Sequence, residues 1–271
     1  MKVYHYTSLE ALKGILSENK DQLCFWGTRY DSMNDSTDCI FAESHIIPCV
    51  KSALEEYGYS EDALEDVEAY PYIVSFSQAK DSFFMWRTYK AEIAIELDDA
   101  VIKSEVGELK DGKYHSGLYY GKCRYPKDTQ DMHQVFVDLF NQAEKTINSL
   151  MDTVREQLPL IKYFGFEYEQ ESRLFQLDYN LSIFHGESGK FIDGEIPNGI
   201  GVKCVRDHDF VFYKKFFLPI KALSGIIINC NDEKHFEKIK SHLELFLKMQ
   251  GITHPIDITQ SKTCKYINLN I

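Results

Sequence analysis

Several sequence patterns that mark metal and nucleotide sites are missing from this chain of 271 residues. Its seven cysteines form no C-x-x-C pair and its nine histidines form no H-E-x-x-H pair, so the sequence predicts no bound metal. It also contains no G-x-G-x-x-G and no G-x-x-x-x-G-K-S/T, the motifs of Rossmann and P-loop nucleotide sites. A nucleotide site in this protein is therefore expected to be built in another way.

Signals for secretion and for membrane insertion are missing as well. No window approaches eighteen uninterrupted apolar residues, and the N-terminus lacks a basic region followed by an apolar run. The odd number and irregular spacing of the cysteines are typical of proteins from a reducing compartment. We therefore expect a cytoplasmic protein with no membrane partner.

The residues that are present describe a folded, acidic and aromatic-rich protein. Hydrophobic residues make up 44% and aromatic residues 14% of the chain, which is enough for a real core and for a pocket that stacks a flat ligand. The formal net charge of −12 opposes nonspecific binding to a nucleic-acid backbone. A local basic groove is still compatible with this composition.

The apolar periodicity predicts an α+β protein. Helical patterns cover Leu9 to Leu16, about 129–158 and about Glu233 to Met249, and a weaker one over Ala42 to Tyr57 contains Pro48. The β-like runs between them are Leu23 to Thr28, Tyr72 to Ser77, Glu92 to Leu97, Leu118 to Cys123, Arg173 to Leu177, Gly201 to Val205, Phe210 to Phe217 and Ala222 to Ile228. Because strands and helices do not alternate strictly, we expect one mixed domain over 1–271, with the 129–158 helix as a long insertion.

The first candidate site lies where the first strand becomes a helix, in the segment His5-Tyr6-Thr7. Thr7 and Glu10 have the spacing of a capping box, which would place backbone N–H groups and the positive end of a helix dipole beside His5. That geometry suits an anion or a nucleotide. The alternative is that His5 is an ordinary strand-end histidine and Thr7 only a helix cap.

A second candidate follows the predicted strand Tyr72 to Ser77. Ser75 and Ser77 end this strand with small hydroxyl groups, and the chain continues into Asp81-Ser82 and the aromatic residues Trp86 and Tyr89. Such a segment can hold a flat ligand between rings. It can equally be an aromatic core beneath a loop.

A third candidate combines acidic and basic residues. Glu169, Glu171 and Arg173 are spaced by two, so on an extended strand they point to the same side. Two neighbouring carboxylates raise at least one pKa, an adjacent guanidinium lowers it, and such a pair can stabilise a developing cation. Acidic runs are also common on solvated faces.

Elsewhere, Arg29 follows a predicted strand and could meet a pyrophosphate, whereas Asn34-Asp35 could simply shape a turn.

Taken in order, these motifs resemble those of a widespread bacterial family of unknown function. The set is Tyr4-His5-Tyr6-Thr7-Ser8 with a Leu-x-x-Leu-x-x-Ile-Leu helix, Asn34-Asp35, Ser75-Phe76-Ser77, Asp81-Ser82, Trp86 and Phe166-x-x-Glu169-x-Glu171-x-Arg173. That family in turn is distantly similar to ADP-ribosyltransferases of the histidine–tyrosine–glutamate type. The resemblance implies a split, largely antiparallel sheet with flanking helices.

The resemblance also implies an enzyme that cleaves NAD as a co-substrate and transfers ADP-ribose, without a metal. It assigns catalysis to Glu171 or Glu169 with His5. Together with the candidates singled out above, Arg29 among them, the predicted NAD-binding set is His5, Tyr6, Thr7, Arg29, Tyr72, Ser75, Ser77, Ser82, Trp86 and Tyr89. The acceptor would be a protein or a nucleic acid, and a role as a bacterial defence or toxin effector would add an antitoxin or regulatory partner. Two other hypotheses are a catalytically inactive nucleotide-binding or interaction module and a nuclease-like effector.

Overall fold

A ten-stranded sheet organises the part of the chain that the structure describes. The computed structural model describes residues 1–18, 20–33, 41–60, 71–106, 109–110, 113–114, 118–142, 153, 156–177, 200–204 and 210–264. The strands of the sheet are β1 (Lys2–Thr7), β2 (Gln22–Arg29), β3 (Tyr72–Ser77), β4 (Ile93–Asp98), β7 (Leu118–Lys122), β8 (Glu171–Gln176), β9 (Ile200–Cys204), β10 (Phe210–Pro219), β11 (Leu223–Ile228) and β12 (Asp257–Gln260). Two short strands, β5 (Leu109–Lys110) and β6 (Lys113–Tyr114), pair separately with each other.

The sheet is largely antiparallel. The strands β12, β11, β4, β1, β3, β2, β10 and β9 follow one another across it, and β8 pairs with both β3 and β7. Among the described strands only β11 and β12 pair in parallel. The prediction of an α+β fold with a mixed, largely antiparallel sheet is therefore confirmed.

Six α-helices have their bounds within the described part of the chain. They are α1 (Leu9–Ser17), α2 (Ile47–Glu56), α3 (Phe83–Tyr89), α4 (Asp99–Glu105), α5 (Thr129–Gln142) and α6 (Glu233–Met249). In the segment predicted as a weak helix, α2 carries Pro48 in its first turn, where a missing N–H costs no helical hydrogen bond, and a π-helical turn precedes it. None of these helices combines the length and the apolar character that a membrane span requires.

The main core fills one face of the sheet. Leu12, Ile15 and Leu16 follow the 3.6-residue period of α1 and pack with apolar residues of α4, α6 and the strands, including Ile95 and Phe236. On the other face, Met85 and Trp86 of α3 pack with Tyr4 and Tyr6 of β1 and with Ala94 of β4. A separate cluster joins α2 to α5.

Most predicted element positions are confirmed, with a few differences. Strand β3 and helix α6 have the predicted bounds, and the other predicted strands are shifted by at most two residues at either end. Helix α5 covers the beginning of the predicted 129–158 helix, and residues 143–152 lie outside the described part. Strand β12, helix α4 and the β5–β6 pair were not anticipated, because each is too short to show a clear period.

Candidate functional site

A cleft of about 670 Å³ opens beside strand β3. Its lining residues come from β1, β2, β3, β8, β9, β10 and α3, together with residues 32–33 and the segment 162–169. This volume lies within the range of pockets that hold cofactor-sized ligands.

The cleft forms where two strands share one edge of β3. Strand β2 pairs with β3 at Tyr72 and Ile73, whereas β1 pairs with it at Ser77. Between these pairings, the carbonyl oxygen of Ser75 accepts a hydrogen bond from Nδ1 of His5 at 3.0 Å. A side chain therefore replaces a strand at this position and satisfies a backbone acceptor that would otherwise need a partner.

His5 is held in this gap by aromatic rings. The rings of Phe25 and Phe76 lie edge-to-face against the imidazole, with centroids 5.3 and 5.9 Å away. Burial lowers the pKa of His5, although the hydrogen bond to Ser75 acts in the opposite direction. The imidazole is therefore neutral with its proton on Nδ1, and Nε2 is left as an acceptor for a ligand hydroxyl.

Four buried charged side chains form a network in the wall of the cleft. Nζ of Lys162 lies 2.8 Å from Oε2 of Glu169 and 2.9 Å from Oε2 of Glu171. Arg173 donates to both oxygens of Glu171, from Nε at 2.8 Å and from a terminal nitrogen at 3.3 Å. None of the four residues is more than 4% exposed. The two carboxylates are thus matched by two cations, which is what allows them to be buried.

Local structure places the two glutamates side by side. The segment Phe164–Glu169 is a 3₁₀-helix, and Gln170 has a left-handed backbone (φ 46°) that turns the chain into β8. The hydroxyl of Ser77 donates to the carbonyl oxygen of Glu169 at 2.6 Å, and the N–H of Glu171 donates to the hydroxyl oxygen of Tyr125 at 2.6 Å. The backbone on both sides of this turn is therefore fixed.

The environment separates the acidities of the two glutamates. Burial alone would raise the pKa of Glu171, but the charges of Arg173 and Lys162 outweigh it and lower the pKa to about 2. For Glu169, burial exceeds the opposing effect of Lys162, and the pKa is raised. Glu171 is therefore a permanent anion at neutral pH, whereas Glu169 is the better proton carrier.

Tyr89 extends the network towards the mouth of the cleft. Its side chain is 45% exposed, and its hydroxyl donates to Oε2 of Glu169 at 3.3 Å. Burial of the hydroxyl and the charge of Glu169 both raise the pKa of Tyr89, so it stays a protonated donor. An exposed ring with an anchored hydroxyl can contact a bound ligand without losing its position.

Seven of the predicted site residues line this one cleft. They are His5, Tyr6, Ser75, Ser77, Tyr89, Glu169 and Glu171. Ser75 links two of the candidate groups, because its carbonyl accepts from His5 and its hydroxyl bonds the carboxylate of Glu171. The structure therefore brings the histidine and both glutamates together.

The other five predicted site residues do not line the cleft. The guanidinium of Arg29 lies over the ring of Phe212, 4.7 Å from its centroid. Tyr72 is buried in the core, and Trp86 is buried against Tyr6.

Thr7 and Ser82 also lie outside the lining. Thr7 ends β1 opposite Ile93. Ser82 caps α3 by accepting from the N–H of Met85, and its own N–H donates to the hydroxyl oxygen of Tyr6. Ser82 therefore has a structural task at the start of α3. Asn34-Asp35 lies outside the described residues.

The expected cap of α1 is wrong by one residue. Ser8, rather than Thr7, is the N-cap, and its hydroxyl oxygen accepts from the N–H of Ala11 at 3.1 Å. The N–H of Leu9 donates to the carboxylate of Glu92 at 2.8 Å. A carboxylate of the protein itself therefore lies at the start of this helix, where the sequence predicted an anion.

Asp81 connects the start of α3 to the segment 261–264. Its carboxylate accepts from Nε1 of Trp86 at 2.8 Å, from the N–H of Lys262 at 2.7 Å and from the hydroxyl of Thr263 at 3.1 Å. These bonds hold Asp81 in a left-handed backbone (φ 51°). The Asp81-Ser82 motif therefore ties the start of α3 to the segment 261–264.

Lys162 and Lys203 line the cleft and were not singled out from the sequence. The signal for Lys162 was a single lysine inside the apolar segment Leu158 to Phe166, because a charged residue there is either exposed or paired after burial. Lys203 carried no comparable signal. Strand alternation places it on one side of β9, but only the pairing of β9 with β10 brings that side to the cleft.

Comparisons of the chain with protein-family models, with curated proteins and with solved structures find no significant match. Within the described residues, no group of three or more histidine, cysteine, aspartate or glutamate side chains is arranged to hold a metal ion.

Proposed function

We propose that this protein is an ADP-ribosyltransferase-like enzyme that binds NAD in the cleft and transfers its ADP-ribose to a macromolecular acceptor. The observation that carries the proposal is the convergence of His5, Glu169 and Glu171 on one cleft of about 670 Å³. The order of these residues in the sequence is the order that the resemblance to the histidine–tyrosine–glutamate enzymes requires.

The proposed reaction exchanges one bond at the ribose. The bond between nicotinamide and the ribose carbon breaks, and its electron pair leaves with nicotinamide. Positive charge develops on the ribose, and the permanently anionic Glu171 stabilises it. A nucleophilic atom of the acceptor then bonds to the same carbon and releases its proton, for which Glu169 is the nearby base.

Other lining residues bind and orient NAD in this proposal. Nε2 of His5 accepts a hydrogen bond from a ribose hydroxyl, because Nδ1 already donates to Ser75. Tyr89 offers its exposed ring to nicotinamide while Glu169 holds its hydroxyl. Lys162 keeps the two carboxylates at a fixed separation.

The test is the release of nicotinamide from NAD, measured with and without protein, RNA and DNA acceptors. Glu171→Gln keeps the shape and deletes the anion, so the rate should fall about 10²–10³-fold. Glu169→Gln should reduce transfer to the acceptor more than hydrolysis of NAD. Glu167→Gln is the matched control, because Glu167 belongs to the same 3₁₀-helix, is exposed and lies outside the cleft.

Two outcomes would contradict the proposal. One is a folded Glu171→Gln variant that releases nicotinamide at the wild-type rate. The other is a wild-type protein that releases none with any acceptor. Near-ultraviolet circular dichroism of each variant separates a lost reaction from a lost fold.

A catalytically inactive nucleotide-binding module is the second candidate. It is favoured by the charge balance around Glu171, since Arg173 and Lys162 already donate to its oxygens. Such a module binds NAD, and its melting temperature rises with NAD, but it releases no nicotinamide. This result would favour a binding module over an enzyme.

The biological setting is proposed from the resemblance alone. It comprises a cytoplasmic bacterial effector of defence or toxicity, an acceptor that is a protein or a nucleic acid, and an antitoxin or regulatory partner.

A further inference from the structure

An aromatic platform lies on the part of the cleft formed by β2, β10 and β9. Trp26 and Tyr213 stack with their ring centroids 4.3 Å apart and their planes 9° from parallel. Trp26 lines the cleft and is 44% exposed. A tryptophan supported from one side and open to a cleft is well placed to stack a flat ligand.

The register of the strands builds this platform. Tyr213 pairs with Thr28 on one side and with Gly201 on the other, while Trp26 pairs with Lys215. Trp26 and Tyr213 are therefore diagonal neighbours on the same face of the sheet. A Cβ atom at Gly201 would lie 2.3 Å from Cζ of Tyr213, so the missing side chain of Gly201 gives the tyrosine ring its space.

Lys203 places a cation over the ring of Trp26. It lies two residues after Gly201, on the same face of β9, and lines the cleft. Its ammonium is 5.9 Å from the centroid of the Trp26 ring. Within the described residues Lys203 forms no ion pair with a carboxylate, in contrast to Lys162 at the other cationic position of the cleft.

We propose that Trp26, Tyr213 and Lys203 form a subsite for a purine nucleoside diphosphate. The base stacks on the exposed indole of Trp26, and the ammonium of Lys203 binds the phosphate groups. A cation is needed here because the protein carries a formal charge of −12, which repels a free anion elsewhere on its surface. Arg29, the phosphate-binding residue expected from the sequence, lies instead over Phe212.

This inference rests on the proposed function in one respect: the nucleoside diphosphate is taken to be the ADP half of NAD. With that half on Trp26, the rest of the molecule extends along the cleft towards His5, Tyr89 and the glutamates. The same chemistry is offered by free ADP, so binding can be tested without any reaction.

The experiment is calorimetric titration of the wild-type protein and its variants with ADP, with adenosine and with inorganic pyrophosphate. Trp26→Leu should lower the affinity for ADP and for adenosine about 10-fold or more, because the base stacks on the indole. The affinity for pyrophosphate, which has no base, should stay the same. Lys203→Gln should lower the affinity for ADP and for pyrophosphate by a similar factor. The affinity for adenosine should stay the same. Gly201→Ala should weaken ADP by displacing Tyr213.

Two variants on the same sheet face are matched controls. Phe217→Leu removes an exposed aromatic ring from β10 outside the cleft, and Lys215→Gln removes a lysine that pairs with Glu18. Both should bind ADP as the wild type does. Unchanged ADP affinity in Trp26→Leu and in Lys203→Gln, or no ADP binding by the wild type, overturns the subsite.

Nicotinamide release separates this inference from the proposed function. ADP binding that depends on Trp26 and Lys203, in a protein that releases no nicotinamide, supports the subsite and removes the enzyme. If both variants release nicotinamide with the same KM for NAD as the wild type, the proposed enzymatic function is supported and the proposed subsite is wrong.

Discussion

At the scale of single residues, Lys162 decides whether two carboxylates can share the wall of the cleft. Its ammonium lies within 2.9 Å of both Glu169 and Glu171, and all three side chains are buried. A buried pair is costly to break, because the remaining charge keeps its desolvation penalty and loses its partner.

We expect Lys162→Met to lower the free energy of unfolding by about 3–5 kcal/mol, measured by urea denaturation. The loss should shrink as the pH is lowered from neutral towards the raised pKa of Glu169. In the wild type, burial raises the pKa of Glu169 and Lys162 opposes this rise. Without Lys162 the folded-state pKa should lie further above the unfolded value, so protonation stabilises the folded variant more than the wild type and relieves the repulsion between Glu169 and Glu171.

Lys2→Met is the control for this variant, because Lys2 pairs with Asp98 at the surface. It should cost no more than about 1 kcal/mol. A Lys162→Met variant as stable as Lys2→Met would mean that the buried network contributes little.

The stability that Glu171 contributes should depend on pH in the opposite direction, and it should be lost at low pH. Its folded-state pKa of about 2 lies below the ordinary value of 4.5, so the stabilisation is complete above pH 4.5 and is lost as the pH falls to about 2. This shift corresponds to about 3 kcal/mol. The stability difference between the wild type and Glu171→Gln should therefore shrink over this interval. The exposed Glu167→Gln should show no such trend, and a parallel pair of curves for Glu171→Gln would contradict the assignment.

At the scale of elements, the stability of helix α1 should depend on Ser8, its N-cap residue, more than on Thr7. Ser8 accepts from the N–H of Ala11, whereas Thr7 belongs to β1. We expect Ser8→Ala to lower the free energy of unfolding by about 1 kcal/mol and Thr7→Ala to lower it less. Thermal and urea unfolding of the two variants measure the difference. A larger loss for Thr7→Ala would restore the cap expected from the sequence.

Elements also explain how the cleft was only partly foreseeable. The β-like run from Tyr72 to Ser77 predicts a strand that ends in hydroxyl residues, and β3 has these bounds. Nothing in that pattern indicates that β1 and β2 take different ends of one edge of β3. This arrangement is determined by pairing between segments far apart in the chain, so the local periodicity of β3 cannot predict it.

At the scale of the whole molecule, the cleft collects residues from much of the described sheet. Lining residues come from β1, β2, β3, β8, β9 and β10, together with α3 and the segment 162–169. A ligand bound there contacts parts of the chain that separate on unfolding. Binding should therefore stabilise the folded protein as a unit.

We expect NAD at 100 times its dissociation constant to raise the free energy of unfolding by about 2.7 kcal/mol. His5→Ala should reduce this stabilisation, because Nδ1 and Nε2 of the imidazole connect the sheet to the ligand in the proposed complex. Thr7→Ala, next but one along the same strand and outside the cleft, should retain it. Differential scanning calorimetry with and without NAD provides the measurement. Equal stabilisation of the wild type and His5→Ala would remove His5 from the NAD site.

The sequence by itself determined the α+β class, most strand and helix positions, and the residue types of the candidate site. Apolar periodicity is local, and it identified β3 and α6 with their observed bounds. The two-residue spacing predicted a shared side for Glu169, Glu171 and Arg173 on one strand, and this holds for Glu171 and Arg173 of β8. Glu169 instead ends a 3₁₀-helix and reaches the same buried network through the turn at Gln170.

Only the tertiary structure decided which candidates meet at the cleft. Trp86 and Tyr89 are three residues apart on one helix, yet Trp86 lies in the core and Tyr89 at the cleft, because the packing of α3 against β1 decides which ring is covered. Lys162 joined the site because β8 and the preceding turn bring its ammonium between two carboxylates. Such choices depend on contacts between residues far apart in the chain, and burial then sets the charge state of each group.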